Sequence, residues 1–280
     1  LKLKFPDEAS APTDALPEYE SPPVVETSIG VQFEGLEGFQ SLHAASFWER
    51  IRDKYVRLEE RPPLDPAFET FGPRSAPLGV PELQMIQAPI QPRFFFISED
   101  DSELVQLQKD RLFFNWRKRP GAEEYPRYVH VREKIESLFQ MLRDWSRDEG
   151  LGKPRPTQCE AIYVNIIPLV DSAGEACGLS YVFPWLVGMM GTTEDGVFKF
   201  RRVLQNQSGI PVARLHVSLE YGTEEESRRS ARLNLHVRGH PAEQTFNKSL
   251  EMIDAEREII VRTFTEITSK EAHMMWERQK

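Results

Sequence analysis

The chain has 280 residues, 40% of them hydrophobic and 28% charged, with a formal net charge of -9. It is long enough to bury a substantial core. The acidic balance argues against general coating of DNA, which needs an overall basic surface, but leaves room for a local basic patch. Two cysteines, Cys159 and Cys177, fit no zinc spacing and are too few for a disulfide framework. No apolar run approaches the roughly 18–20 residues of a membrane span, and the N-terminus lacks the apolar centre of a secretion signal. A soluble protein of the reducing cytoplasm is the expectation.

Residues 1–23 carry Pro6, Pro12, Pro17, Pro22 and Pro23 among Asp, Glu and Ser, a composition that predicts an extended arm suited to docking on a neighbour. From Val24 to Phe33, Val25, Thr27, Ile29, Val31 and Phe33 alternate with polar residues at the period of a half-buried strand. Gly35 and Gly38 end it. Ser41 is then placed to cap a helix with Phe47, Ile51, Tyr55 and Leu58 on one stripe. Eight prolines between residues 61 and 92 exclude a regular helix or a central strand. That stretch reads as a connection with a short edge strand near Leu83 to Ile86.

RFFFIS, from Arg93, and ELVQLQKDRLFFNWR, from Glu103, read as two strands around an EDDS turn. In the second, Leu104, Gln106, Gln108 and Asp110 share one face and Val105, Leu107, Lys109 and Arg111 the other. Neither face is cleanly apolar, as expected where one side carries a working surface or a buried polar network. A helix follows, with Val131, Ile135, Leu138, Leu142 and Trp145 as its buried stripe and Gly150 as its stop. CEAIYVNIIPLV reads as a strand, residues 171–196 as a Gly-rich connection, and VFKFRRVLQ, PVARLHVSLEYG and ARLNLHVRGH as three more strands. A last helix from about Phe246 to Thr268 carries Leu250, Ile253, Ile260, Phe264 and Ile267, and Met274, Met275 and Trp276 lie beyond it.

The order β-α-β-β-α then β-β-β-β-α predicts an α+β protein with largely antiparallel sheet and packed helices. The expected organisation is an arm over residues 1–23 and two structurally related halves, 24–150 and 151–280.

The opening segment PPVVETSIGVQF, the central QLQKDRLFFNWRKR followed by YPRY, the run Tyr163 to Asn165, and the ending IDAEREIIVRTFTEIT with Trp276 together resemble a sporadically distributed, uncharacterised prokaryotic protein family. The resemblance spans about residues 20–280. It implies a patchily inherited cytoplasmic protein of the kind found in mobile, defence or toxin–antitoxin modules, and it brings no catalytic residues with it.

The densest functional candidate is Arg111, Asn115, Trp116, Arg117, Lys118, Arg119, Arg127 and Tyr128. Arg and Lys interleaved with aromatics can hold phosphates while stacking a base, and Trp, Tyr and Arg also dominate protein interfaces. The plain alternative makes Phe114 and Trp116 core, with the cations paired to Glu123, Glu124 and other carboxylates. Gln106, Gln108 and Arg111 form a possible polar strip beside it. His216-Val-Ser218 resembles the His-x-Ser/Thr element of two-histidine phosphoesterases, but its nearest counterpart, His236-Val-Arg238, lacks the hydroxyl and is closely spaced. His236 and His240 fall at a strand end with no nearby Glu or Cys, so no metal site is expected, and no cofactor motif is present.

The expected function is a non-catalytic binding or regulatory protein of such a module, acting through contacts with an operon neighbour or a second copy of itself. Its binding residues would be Gln106, Gln108, Arg111, Asn115, Trp116, Arg117, Arg119, Tyr125, Arg127 and Tyr128. The alternative is a nucleotide- or nucleic-acid-binding protein, or a phosphoesterase-like hydrolase, using residues 111–128 with His216.

Overall fold

Among the described residues nine segments, most with apolar and polar residues alternating, hydrogen-bond into one sheet. The computed structural model describes residues 1–9, 14–72, 91–121, 125–187, 195–223 and 229–280. The strands are β1 (Val24–Phe33), β2 (Arg57–Arg61), β3 (Arg93–Ile97), β4 (Glu103–Gln108), β5 (Arg111–Arg117), β6 (Pro156–Pro168), β7 (Gly196–Gln205), β8 (Pro211–Thr223) and β9 (Arg229–Gly239). Their spatial order is β2-β3-β4-β5-β1-β6-β9-β8-β7, and every neighbouring pair is antiparallel. The helices are α1 (Ser41–Glu49), α2 (Arg127–Asp148), α3 (Leu179–Val182), α4 (Phe246–Ile267) and α5 (Lys270–Met275). The protein is α+β, with helices packed on an antiparallel sheet.

The order β3-β4-β5-β1 on one side of the sheet is repeated outward-to-inward as β7-β8-β9-β6 on the other. β1 and β6 meet at the seam, where Gly30 lies opposite Glu160 and Ser28 opposite Ile162. Both halves thus contribute to one continuous sheet.

Because side chains alternate across a strand, each strand sends one set of residues under the helices. Ile29, Val31, Leu112, Phe114, Ala161, Leu235 and Val237 make that face, and all are buried. α2 covers it with Val131, Ile135, Leu142 and Trp145, and α4 with Leu250, Ile253, Ile260 and Phe264. Each such side chain removed from water contributes about 1.5–3 kcal/mol. α1 joins the same layer through Phe47, whose ring lies 5.3 Å from that of Trp145. Among the described residues no helix covers the opposite face. Residues 62–72 cross part of it as an extended segment.

Three local expectations are corrected. The helix expected from Ser41 to Leu58 stops at Glu49, and Arg57–Arg61 is strand β2, the outermost on its side. Its cap is Gln40, through a reciprocal exchange with His43, rather than Ser41. The single strand expected from Glu103 to Arg117 is a hairpin, β4 and β5, turning at Lys109 and Asp110. The N-terminal arm packs on its own chain: Leu3, Phe5 and Tyr19 are buried, and Lys4 and Tyr19 bridge to Gln205 and Arg278. The edge strand expected near Leu83 lies outside the described residues. Among the described residues no helix is long and apolar enough to cross a membrane.

Candidate functional site

The helix-free face carries the alternate set of side chains, and these are predominantly polar. Register fixes their neighbours: Ser28 lies opposite Asn115 and Gln32 opposite Arg111, Glu160 opposite Arg238, and His216 opposite His236. All of these but Gln32 line a groove of about 930 Å³ across the seam between the halves.

On the β5 side a chain of side-chain hydrogen bonds runs across the strands. Arg93 donates to Gln106 Oε1 at 3.0 Å, Gln106 Nε2 to Asn115 Oδ1 at 2.6 Å, and Asn115 Nδ2 to Glu26 Oε1 at 3.2 Å. Burial, with Arg111 and Arg61 nearby, holds the Arg93 guanidinium below its usual pKa. Next to this chain, glutamines bind residues 62–72 as a further strand would. Gln108 exchanges hydrogen bonds with the Leu64 amide and carbonyl. Gln32 does the same with Ala67, and Gln158 accepts from the Glu69 amide at 2.8 Å. A primary amide offers the same donor and acceptor as a peptide group, so these buried side chains satisfy the backbone of a segment too proline-rich to form its own ladder.

On the β8–β9 side two buried glutamates organise the cations. Glu69 accepts from Arg214 and lies 2.6 Å from His216 Nε2. Glu160 accepts from Gln32 at 2.8 Å and Arg238 at 3.0 Å, and lies 2.9 Å from His236 Nε2. Burial pushes both carboxyls up, but their histidine and arginine partners outweigh it and hold both below the usual range. Burial lowers His236, and Glu160 does not fully restore it. Arg238 therefore supplies the positive charge at Glu160, while neutral His236 donates its Nε2–H. The histidine rings stack with centroids 5.3 Å apart, and neither Nδ1 has a hydrogen-bond partner among the described residues.

Cationic side chains outnumber carboxylates in the lining of the groove, although Arg111, Lys199 and Arg238 are paired with Asp110, Glu220, and Glu69 and Glu160. Its lining includes six cationic side chains, Arg93, Arg111, Lys199, Arg201, Arg232 and Arg238, against three carboxylates, Glu26, Asp65 and Glu160. Among the described residues Arg201 and Arg232 have neither an ion pair nor a side-chain hydrogen bond, and both are exposed.

The expected binding residues fall in four places. Gln106, Arg111 and Asn115 line the groove, and Gln108 lies beside them under residues 62–72. Trp116 points the other way, 3% exposed among core side chains, with Tyr125 5.3 Å from its ring. Arg117 and Arg119 both turn to Asp101, at 2.9 and 2.5 Å. Tyr125, Arg127 and Tyr128 line a separate cavity on the helix side. The pairing expected with Glu123 and Glu124 lies outside the described residues. His216 does join the groove, with His236 beside it, whereas His240 is tied to the Thr157 and Glu69 carbonyls. Among the described residues no group of His, Cys, Asp or Glu is arranged to hold a metal ion.

Glu69, Glu160, Arg201, Arg232, His236 and Arg238 were not among the expected binding residues. For Arg232, His236 and Arg238 the signal is the polar alternation at 232, 234, 236 and 238, opposite 220, 218, 216 and 214. Comparison with family models, curated proteins and solved structures finds no match.

Proposed function

We propose that this protein binds a nucleotide, free or within a single strand, on the helix-free face of its sheet. The observation that carries the reading is the unpaired Arg201 and Arg232 beside a groove with a surplus of cations. A positive surface in a chain of net charge -9 is a local concentration of charge suited to phosphate. Asn115, Gln106 and Asn234 offer amides for base edges, and the Asn234 Oδ1 is buried without a partner. Phe113 adds an aromatic surface to the same groove.

The test is fluorescence anisotropy with a labelled single-stranded oligonucleotide and a labelled mononucleotide over a series of salt concentrations. Affinity should fall steeply with salt, and Arg201→Ala combined with Arg232→Ala should weaken binding about tenfold or more and flatten the salt slope by about 0.7 for each lost phosphate contact. Binding that ignores both salt and the double substitution would overturn the reading.

A protein partner is the second reading, and it keeps the resemblance to patchily inherited defence or toxin–antitoxin components in play. It is favoured by Leu64 and Phe68, exposed by 43% and 54% on the segment that crosses this face. An acidic segment with apolar anchors would suit the same groove. Its affinity would depend less on salt and would drop with Phe68→Ser.

A further inference from the structure

On the other side of the sheet, Tyr125, Arg127 and Tyr128 line a cavity of about 400 Å³ between α2, α4 and the N-terminal arm. Its walls are mostly apolar, with Val24, Leu235, Ile260, Val261 and Phe264 contributing. A few polar groups converge on it. The Tyr125 and Tyr163 hydroxyls lie 3.2 Å apart, and Arg257 comes in from α4 beside Tyr163, its guanidinium 4.8 Å from the centre of the Tyr128 ring. An apolar pocket of a few hundred Å³ with a small number of convergent polar groups is the usual form of a small-molecule site.

The charge in this pocket is unanswered. Arg257 Nε is buried without a hydrogen-bond partner, and among the described residues Arg257 has no ion pair. The nearby carboxylates are committed elsewhere: Asp254 to Arg132 and Tyr128, Glu18 to Lys280 at 2.9 Å, and Glu20, which also lines the cavity, to Arg127 at 3.4 Å. A guanidinium in a mostly apolar wall calls for an anion that brings its own apolar body. Burial raises the pKa of both Tyr125 and Tyr163, so the phenols stay protonated and able to donate. The arm closes one side, held by Arg127 hydrogen bonds to the Tyr19 and Glu20 carbonyls at 2.6 and 3.1 Å. Arg127 makes them from a left-handed backbone conformation, φ 68°, uncommon for a non-glycine residue.

We infer that this cavity binds a small monocarboxylic acid with a compact apolar body, its carboxylate on Arg257 and the Tyr125–Tyr163 hydroxyl pair. The site is independent of the groove across the sheet.

The test is calorimetric titration of the whole chain with phenylbutyrate, octanoate and indole acetate, each against its neutral amide. At least one acid should bind, and its amide should bind at least tenfold more weakly. Arg257→Met should abolish that preference, Arg257→Lys should keep part of it, and Arg201→Ala with Arg232→Ala should leave it unchanged. A thermal melt of each variant separates loss of the site from loss of the fold, and Tyr163→Phe, which removes one hydroxyl from the pocket, should weaken the acid even if Arg257→Met proves unstable. The inference falls if no acid binds ahead of its amide, or if a folded Arg257→Met retains the preference.

Discussion

His216 and His236 stack face to face across neighbouring strands, centroids 5.3 Å apart, and each gives its Nε2 to a different buried glutamate. Two cations so close would repel, and burial relieves this by keeping His236 neutral, its pKa lowered from 6.5. Glu160 and Glu69 are held below 4.5 by their partners. All three shifts act in the same direction. In each case the unfolded chain takes up the proton first as pH falls, so the stability is present above the unfolded value and lost on acidification. Urea midpoints measured from about pH 8 to about pH 4 should fall in two stages, one beginning near the ordinary histidine value and one near the ordinary carboxylate value. His236→Gln should shrink the first stage, leaving the share of His273, which burial also lowers, and should leave the second. An unchanged profile would refute the neutral-histidine assignment.

Trp116 and Arg117 are adjacent in sequence and do different work. Trp116 sits under the helices against Tyr125, whereas Arg117 pairs at the surface with Asp101. Trp116→Ala should cost about 3–5 kcal/mol in urea unfolding, and Arg117→Ala less than about 1 kcal/mol. Comparable losses from the two would place both side chains in the core.

The same alternation explains what could be read from the sequence. Val131, Ile135, Leu142 and Trp145 form a clean helical stripe, and Leu233, Leu235 and Val237 a clean strand, because one side of each element is wholly apolar. The β4–β5 hairpin is hard to read because its Lys109–Asp110 turn has neither glycine nor proline, and the turn shifts the alternation so that Arg111, on the opposite face of a continuous strand, lies across from Gln108 on the same face. The dense run 111–128 reads as one surface only where neighbours in sequence are neighbours in space. In a strand each step changes face, so Asn115 and Trp116 end up on opposite sides of the sheet. The groove itself draws on every strand from β1 to β9 except β2, and that assembly depends on the pairing of β1 with β6 at the seam.

Glu256 is 0% exposed on α4, and neither carboxylate oxygen has a hydrogen-bond partner. Burial, with Glu160 nearby, raises its pKa well above the ordinary value of 4.5. The folded protein therefore holds a proton that the unfolded chain releases, and this contribution to stability is present below the unfolded value and lost as pH rises toward the folded one. Glu256→Gln removes the titration while nearly preserving shape. The variant should gain stability relative to the parent as pH is raised above neutrality, seen as a widening gap in melting temperature. A gap that stays constant with pH would mean that Glu256 is not protonated in the fold.

Gly30 sits at the seam, opposite Phe113 on one side and Glu160 on the other. A Cβ built there would come within 2.3 Å of the Leu112 carbonyl oxygen and 2.6 Å of Phe113 Cγ. The missing side chain is what lets β5 and the Phe113 ring lie close against the centre of the sheet. The Phe113 ring could move aside, but the carbonyl belongs to the β1–β5 ladder and could not. Gly30→Ala should therefore destabilise by about 1–3 kcal/mol or more, with Phe113→Leu restoring only part of the loss. Gly35, with nothing within 4 Å of its would-be Cβ, is the control, and Gly35→Ala should stay within about 0.5 kcal/mol of the parent. Because β5 carries Arg111 and Asn115, the Gly30 variant should also weaken any ligand held across the groove. Full stability with intact binding would show that the seam can open without altering either half.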